Sequence, residues 1–322
     1  MGTSHKMTHF ADDLENWMQN LPPKIRSIPV INLAIPGSHD SMSYGITRTH
    51  TSVAPDATPV VDGLYKVFPC VIKRWAVTQK LTATQQLNCG IRYFDLRICL
   101  KNKDKNFYFV HGLYCEEITE PLIEIQQFLE NHRNEFVILD CQHFYNFSED
   151  DYEVLANRMI QIFNNNIYGQ ANGKLTDLTL ETAEAKKTQV LIIYRSSRHI
   201  PMQFWPSDMW PTPWPNQIKI SKLKKYLDNS LENRSPDCGF VTQCVVTPPV
   251  DFIVPRFFMS LRRACAERVR KGLFDWIKIQ SPGEFRRGEQ PTSNQLFASN
   301  IMLHLIGAFE ANIWKFISLK II

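Results

Sequence analysis

Short, nearly continuous apolar runs alternate along the chain with longer stretches in which apolar residues recur every three to four positions. This is the pattern of strands covered on both faces and joined by amphipathic helices. The predicted strands are the runs Ile31–Ile35, Ile91–Ile98, Phe107–Val110, Phe136–Cys141, Val190–Tyr194 and Phe240–Val246. Between them, Ile118, Leu122, Ile125, Phe128 and Leu129 fall on one stripe and predict a helix ending near Asn131. A second helix is predicted to open at Ser148, with Asp151 three residues on in a near-capping box, and to run through Leu155, Met159 and Ile162. Two regions break the rhythm. Residues 201–215 carry five prolines and three tryptophans, too many prolines for a helix or central strand, and predict an ordered loop. Residues 296–322 place apolar side chains at 297, 301, 305, 309, 313, 316 and 317, a helical period. Alternation without an internal repeat or a low-complexity linker predicts one α/β domain.

Composition narrows the class. The 322 residues are 44% hydrophobic and 21% charged, a soluble globular balance in a chain long enough for one barrel-sized domain. Lysine plus arginine is 36 against 32 acidic residues, a formal surplus of +4 that argues against a dedicated nucleic-acid binder. No run approaches the roughly 18 apolar residues of a membrane span; Ile301–Phe309 comes nearest and is interrupted by His304. Met1–Phe10 is polar, without the apolar core of a secretory signal, and Lys6 stands where a myristoylation pattern needs Ser or Thr. The eight cysteines contain no C-x-x-C pair and read as free thiols of a cytoplasmic protein, so the glycosylation-like triplets at Asn146 and Asn233 read as chance.

Candidate chemistry lies at three strand ends. The first reads Ile35-Pro36-Gly37-Ser38-His39-Asp40-Ser41, the second Arg92-Tyr93-Phe94-Asp95-Leu96-Arg97, and the third ends Val110-His111-Gly112. Each residue has a bland reading: a histidine after a strand is ordinarily a hydrogen-bonded loop residue, and Asp95 with Arg97 makes an ordinary buried ion pair. The conjunction changes the odds. Catalytic groups of a parallel barrel come from the carboxyl ends of its strands. Two histidines and an arginine suffice to split a phosphodiester without metal, one ring taking a proton, the other giving one, and the guanidinium fork holding the phosphate charge.

These motifs resemble the X-region of phosphatidylinositol-specific phospholipase C, and most closely the small eukaryotic X-domain-containing proteins that lack the accessory modules of the large signalling enzymes. The resemblance is carried by residues 35–41 and 92–97 and the His111-Gly112 pair. It spans 24–197 as the X-box domain and continues more weakly over 198–284 as the remainder of the barrel, leaving 285–322 as a divergent tail. It implies a distorted TIM-type (β/α) barrel, irregular at its C-terminal strand, that cleaves inositol phospholipids at a membrane surface. By the same resemblance, His39 is the general base for the inositol 2-hydroxyl and His111 the general acid for the diacylglycerol oxygen. Asp40 orients the acid histidine, Asp95 positions Arg97 and the sugar hydroxyls, and Gln142 joins Arg97 and Asp95 in binding substrate. The large calcium-dependent enzymes carry asparagine at the position of Asp40, aspartate at that of Arg97 and a glutamate near Gln142. A guanidinium cannot share a calcium site, so no metal or other cofactor is expected.

One departure stands out. The family's last strand usually bears an aspartate that pairs with the general-base histidine, and after Glu284 no such strand is legible here. Either another carboxylate replaces it, or the chain is a catalytically impaired inositol-lipid binder or regulator. A metal-dependent glycerophosphodiesterase-like barrel is the weaker third reading. At the surface, Trp205, Trp210 and Trp214 are candidates for dipping into lipid. The run with Arg262, Arg263, Arg268, Arg270 and Lys271 is a candidate for meeting an anionic surface, and the tail is expected to fold as an amphipathic helix over the unclosed barrel edge.

Overall fold

The computed structural model describes residues 13–48, 51–103, 105–198, 200–280 and 304–305. Its sheet is built from β1 (Gly37–Ser38), β2 (Tyr93–Lys101), β3 (Asn106–Val110), β4 (Tyr114–Glu117), β5 (Val137–Tyr145), β6 (Val190–Tyr194) and β7 (His304–Leu305). β5 runs parallel along one edge of β2, and β6 runs parallel to β5. The other edge of β2 is shared: β1 pairs with it in parallel at Tyr93–Phe94, and β3 pairs antiparallel at Ile98–Lys101, with β4 folding back on β3. The parallel wall therefore runs β7–β1–β2–β5–β6, and the β3–β4 hairpin extends it beyond the carboxyl end of β1.

The continuous apolar runs have a physical origin in this wall. Successive strand residues point to opposite faces, and both faces are covered. Tyr93, Ile138, Leu191 and Ile193 belong to one hydrophobic cluster, which also holds Ile31, Ile35, Trp205, Trp210 and Val241. Their neighbours Phe94, Val137, Leu139, Val190 and Ile192 belong to a second, against the helices Thr119–Asn131 and Glu149–Phe163. The first helix ends at Asn131 and the second opens after Ser148, as the sequence predicts; at the second, the Asp151 carboxylate accepts the Ser148 amide at 2.6 Å. The parity that sends Tyr93 and Ile138 to the first face sends Asp95, Arg97, Asp140 and Gln142 there too.

Three expectations are corrected, and a fourth falls largely outside the described residues. Ile31–Ile35 is not a strand. Val30–Asn32 forms a 3₁₀ turn, and only Gly37–Ser38 pairs with β2, because two prolines, Pro29 and Pro36, flank the run and remove donors. Phe240–Val246 is buried but joins no strand ladder; its backbone bonds instead to neighbouring loops, as where Val241 donates to the Pro211 carbonyl at 3.0 Å. The proline-rich segment is an ordered loop as expected, but Trp205 and Trp210 are buried at 5% and 0% exposure, which removes them as lipid-facing side chains. The indole of Trp210 lies so close to Gly239 that a Cβ there would come within 2.1 Å of it. The expected tail helix lies outside the described residues except at His304–Leu305, which are a strand pairing in parallel with β1.

Candidate active site

The loop after β1 is fastened to β2 and to residues 78–79. Ser41 donates its amide to the Asp95 carbonyl at 3.0 Å, and its hydroxyl accepts the Asp95 amide at 2.8 Å. Thr78 Oγ1 and Gln79 Nε2 donate to the His39 carbonyl at 3.0 and 3.1 Å. So held, Asp40 adopts φ of 44°, a left-handed conformation that is costly for a residue with a Cβ and that persists where surrounding structure enforces it.

The result is a carboxylate with three nitrogen neighbours, one from a guanidinium and two from imidazole rings. Asp40 Oδ1 lies 2.5 Å from Arg97 Nε, and Oδ2 lies 3.0 Å from Nε2 of both His39 and His111. None of the three contacts has the alignment of a hydrogen bond. The second nitrogens of the two rings meet different groups. His39 Nδ1 is 2.7 Å from Asp95 Oδ2, whereas His111 Nδ1 donates to the Ala76 carbonyl at 2.6 Å. Burial of Arg97 disfavours its charge, but Asp40 and Asp95 outweigh that and raise its pKa above the usual value. The His39, Asp40 and Asp95 side chains are sealed at 6%, 1% and 2% exposure, while Arg97 and His111 keep 19% and 24%. Arg97 and His111, which the sequence reading expects to meet a phosphate and its leaving group, are thus the two of these five that keep most contact with solvent.

Every candidate from the sequence is in this cleft except Gln142, which belongs to an adjoining polar group. Arg195 clamps Asp140 through Nε and Nη2, both at 2.7 Å, and Nη2 also donates to the Trp210 carbonyl. Tyr93 donates its hydroxyl to Asp140, and Gln142 Nε2 donates to the same carboxylate at 2.7 Å. Burial raises the Asp140 pKa against the pull of Arg195, and Asp140 in turn raises that of Arg195 against its own burial. Removing either partner would strand a buried charge, a loss of about 3–5 kcal/mol.

A bulge follows Asp140 on β5. Leu96 pairs with Cys141 but Arg97 pairs with His143, so Gln142 is an extra residue on β5 and the carboxyl end of that strand is re-aimed toward the cleft. The sequence reading missed Asp140 and Arg195, and it named Trp214 only as a lipid-facing candidate. Strand parity with Ile138 marks Asp140 as inward-facing, and Arg195 stands immediately after β6, where barrel chemistry is placed. Nothing in the sequence put Trp214 beside His39: its ring lies 5.3 Å from that of His39, and its Nε1 donates to Thr247 Oγ1 at 2.9 Å.

The expected role of Asp95 shifts with this geometry. Its Oδ2 serves His39 directly and also accepts the Asp40 amide at 3.2 Å. A carboxylate thus faces His39 Nδ1 even though the C-terminal sequence offers no strand aspartate. His39, Asp40 and Asp95 offer possible metal-ligand atoms within 4.8 Å of one another. The set does not fit calcium, which takes six to eight oxygens, because imidazole nitrogens face the centre and Arg97 already holds one Asp40 oxygen.

No protein-family model matches the chain. Among solved structures, it superposes on phosphatidylinositol-specific phospholipase C of Staphylococcus aureus with a TM-score of 0.62 at 18% identity, covering 94% of this chain and 93% of that one. The enzyme of Listeria monocytogenes gives 0.59 at 18% identity, over 96% and 98% of the two chains. These likenesses define the fold as a distorted TIM-type α/β barrel. Sequence relatives are nearer. Mouse PI-PLC X domain-containing protein 2 is 37% identical over 274 residues, 83% of this chain and 80% of the relative. Human PI-PLC X domain-containing protein 3 is 37% identical over 279 residues, 84% and 86% of the two chains. The chain belongs to the PI-PLC X domain-containing protein family.

Proposed function

We propose that this protein is a metal-independent phosphodiesterase of the phospholipase C type, cleaving phosphatidylinositol to diacylglycerol and a cyclic inositol phosphate. The observation that carries this reading is the unequal partnership of the two histidines. A carboxylate on Nδ1 fixes the tautomer of His39 and stabilises the imidazolium formed when Nε2 accepts a proton, which suits a general base. His111 has only a neutral carbonyl on Nδ1, so once the ring is protonated its Nε2 proton, beside Asp40 Oδ2, is the one more readily given up.

The step balances without a further reactant. His39 Nε2 takes the proton of the inositol 2-hydroxyl, and that oxygen attacks the neighbouring phosphorus. The bond from phosphorus to the diacylglycerol oxygen breaks, and the leaving oxygen receives the proton of the His111–Asp40 pair. The nucleophile is already within the substrate, so little entropy is lost in placing it. Arg97, held charged by Asp40 and Asp95, stabilises the developing phosphorane oxygens. Gln142 and Arg195 line the inositol side. Asp95 on His39 supports catalysis over a silent lipid-binding role.

The lipid is met peripherally, and cytoplasmic placement agrees with eight unpaired thiols. Among the described residues, no helix is long and apolar enough to cross a membrane. In place of the buried tryptophans, the contact surface is an apolar rim. Val67 and Phe68 at the end of the helix Pro59–Val67 lie beside the segment 250–258, where Val250, Val254 and Phe258 are 72%, 65% and 76% exposed. Phe68 packs edge-on against Phe257 at 5.4 Å. The following helix, Pro69–Ala76, ends at the carbonyl that holds His111.

The test is release of diacylglycerol from labelled phosphatidylinositol vesicles by the full chain, with and without chelator. Turnover is expected in both, and His39→Ala and His111→Ala are each expected to lower it by roughly a hundredfold or more. Loss in chelator would sink the metal-free mechanism. Binding without product would favour the regulatory reading.

A further inference from the structure

The His111-Gly112 pair forms the tip of the hairpin between β3 and β4, where the His111 amide donates to the Leu113 carbonyl at 3.0 Å. Gly112 has φ of +68°, and a Cβ built there would meet nothing within 4 Å, so the glycine is required by conformation and not by space. A glycine at the hinge of a catalytic side chain is a soft joint, because it adopts many conformations at little cost. The structure stiffens it from one side. The segment 51–56 lies along the hairpin, with an antiparallel bridge between Val53 and Leu113, the Tyr114 amide on the Ser52 carbonyl at 2.9 Å and the Ala54 amide on the Gly112 carbonyl at 3.1 Å. At its end, Asp56 Oδ2 accepts the Gly112 amide at 2.6 Å, a short, charge-assisted bond.

We propose that Asp56 is a positioning residue for the general acid: by fixing the Gly112 amide it holds the His111 imidazole between the Ala76 carbonyl and Asp40 Oδ2. This rests on the phospholipase reading above. Both peptide groups of the hinge are thereby committed, the Gly112 amide to Asp56 and the Gly112 carbonyl to Ala54. The ring is then held at three points, two on the backbone and one at Nδ1. Without Asp56, rotation about the glycine carries the ring off Asp40, and the leaving oxygen loses its proton donor while His39, Asp95 and Arg97 stay in place. The defect is therefore specific to the half of the reaction that needs an acid.

Two substrates separate that defect from general damage. Phosphatidylinositol expels an alkoxide that needs a proton, whereas a nitrophenyl ester of inositol phosphate expels a stable phenolate that does not. Asp56→Ala is expected to lower turnover of phosphatidylinositol by roughly tenfold or more and that of the nitrophenyl ester by less than about threefold. Asp56→Asn keeps an oxygen able to accept the Gly112 amide and is expected to recover most of the loss. Equal losses on both substrates, no loss on either, or an asparagine as poor as alanine would overturn the proposal. Nitrogen-15 spectra of the His111 ring in the full-length protein give a readout independent of turnover. If the wild type turns over neither substrate, the phospholipase reading fails; if the His111 resonances are unmoved in Asp56→Ala, the brace itself is wrong.

Discussion

His39 and His111 bring the same ring to the same carboxylate, yet they sit in different surroundings. His39 is sealed, follows a two-residue strand, and is backed by the charged Asp95. His111 is partly open, stands on a hairpin tip, and is backed by a backbone carbonyl. Charge on one side and a neutral dipole on the other are enough to divide labour between chemically identical groups. The depth of each ring agrees with that division. On the proposed reading, the sealed histidine faces the inositol side, with the Asp140–Arg195 group beyond it. The open one adjoins the helix Pro69–Ala76, whose other end reaches the apolar rim from which a diacylglycerol would leave.

The strongest way to break this asymmetry is to remove the charge behind His39. Asparagine at position 95 is nearly isosteric, but its amide can present either a donor or an acceptor to Nδ1, so the tautomer with a free Nε2 is no longer enforced. Asp95→Asn is expected to lower turnover by roughly 10²–10⁴, with the nitrophenyl and phosphatidylinositol substrates affected alike, because a base is needed for both. His111→Ala should differ, being much less harmful on the nitrophenyl ester. Were Asp95→Asn to spare the nitrophenyl ester instead, the assignments of base and acid would have to be exchanged.

How much of this was legible in the sequence depends on what fixes each element. The walls β2, β5 and β6 and the helices after β4 and β5 are fixed by local patterning, and the apolar runs and stripes announced them. The motif residues 35–41 and 92–97 announced the site. Arg92, in the same motif as Arg97, turns out to be structural: fully buried, it pairs with Glu135 at 2.8 Å. Strand parity separates the two arginines, since 92 and 97 point to opposite faces. What was not legible depends on contacts between distant segments. Asp95 reaches His39 only because the Ser41 loop is bonded onto β2, and Gln142 and His143 are re-aimed by a bulge that no residue pattern encodes. The 3₁₀ turn at Val30–Asn32 and the run at 240–246, which joins no strand ladder, are as apolar as true strands, because burial, not strand pairing, selects those side chains.

A smaller effect sharpens the role of the charge shared by both histidines. Arg97→Lys keeps the cation beside Asp40 but loses the planar fork. A loss of roughly tenfold to a hundredfold in turnover is expected on both substrates, since either leaving group passes through the same phosphorane. Full activity with lysine would mean that Arg97 acts as a point charge that neutralises Asp40, and that the phosphate oxygens are held by something else.

The smallest effect tests whether the open histidine really faces lipid. Val254 and Phe258 are exposed enough that replacing them removes no core packing, and their side chains lie on the same rim as Phe68. Paired Val254→Asn and Phe258→Asn substitutions are expected to weaken sedimentation with phosphatidylinositol vesicles several-fold, up to about tenfold, as apolar area is lost from the interface. Turnover of the soluble nitrophenyl ester should stay unchanged, because no group near the phosphate is touched. A triple Trp→Ala variant is unsuitable here, since losing the buried Trp205 and Trp210 would damage the fold; Trp214→Ala alone is the control for the mouth. If the paired rim variant binds vesicles as well as the wild type, the apolar residues at 250–258 do not meet the membrane. If it binds less but the nitrophenyl ester is also cleaved more slowly, the rim supports the site itself, and the separation of a lipid side from a headgroup side collapses.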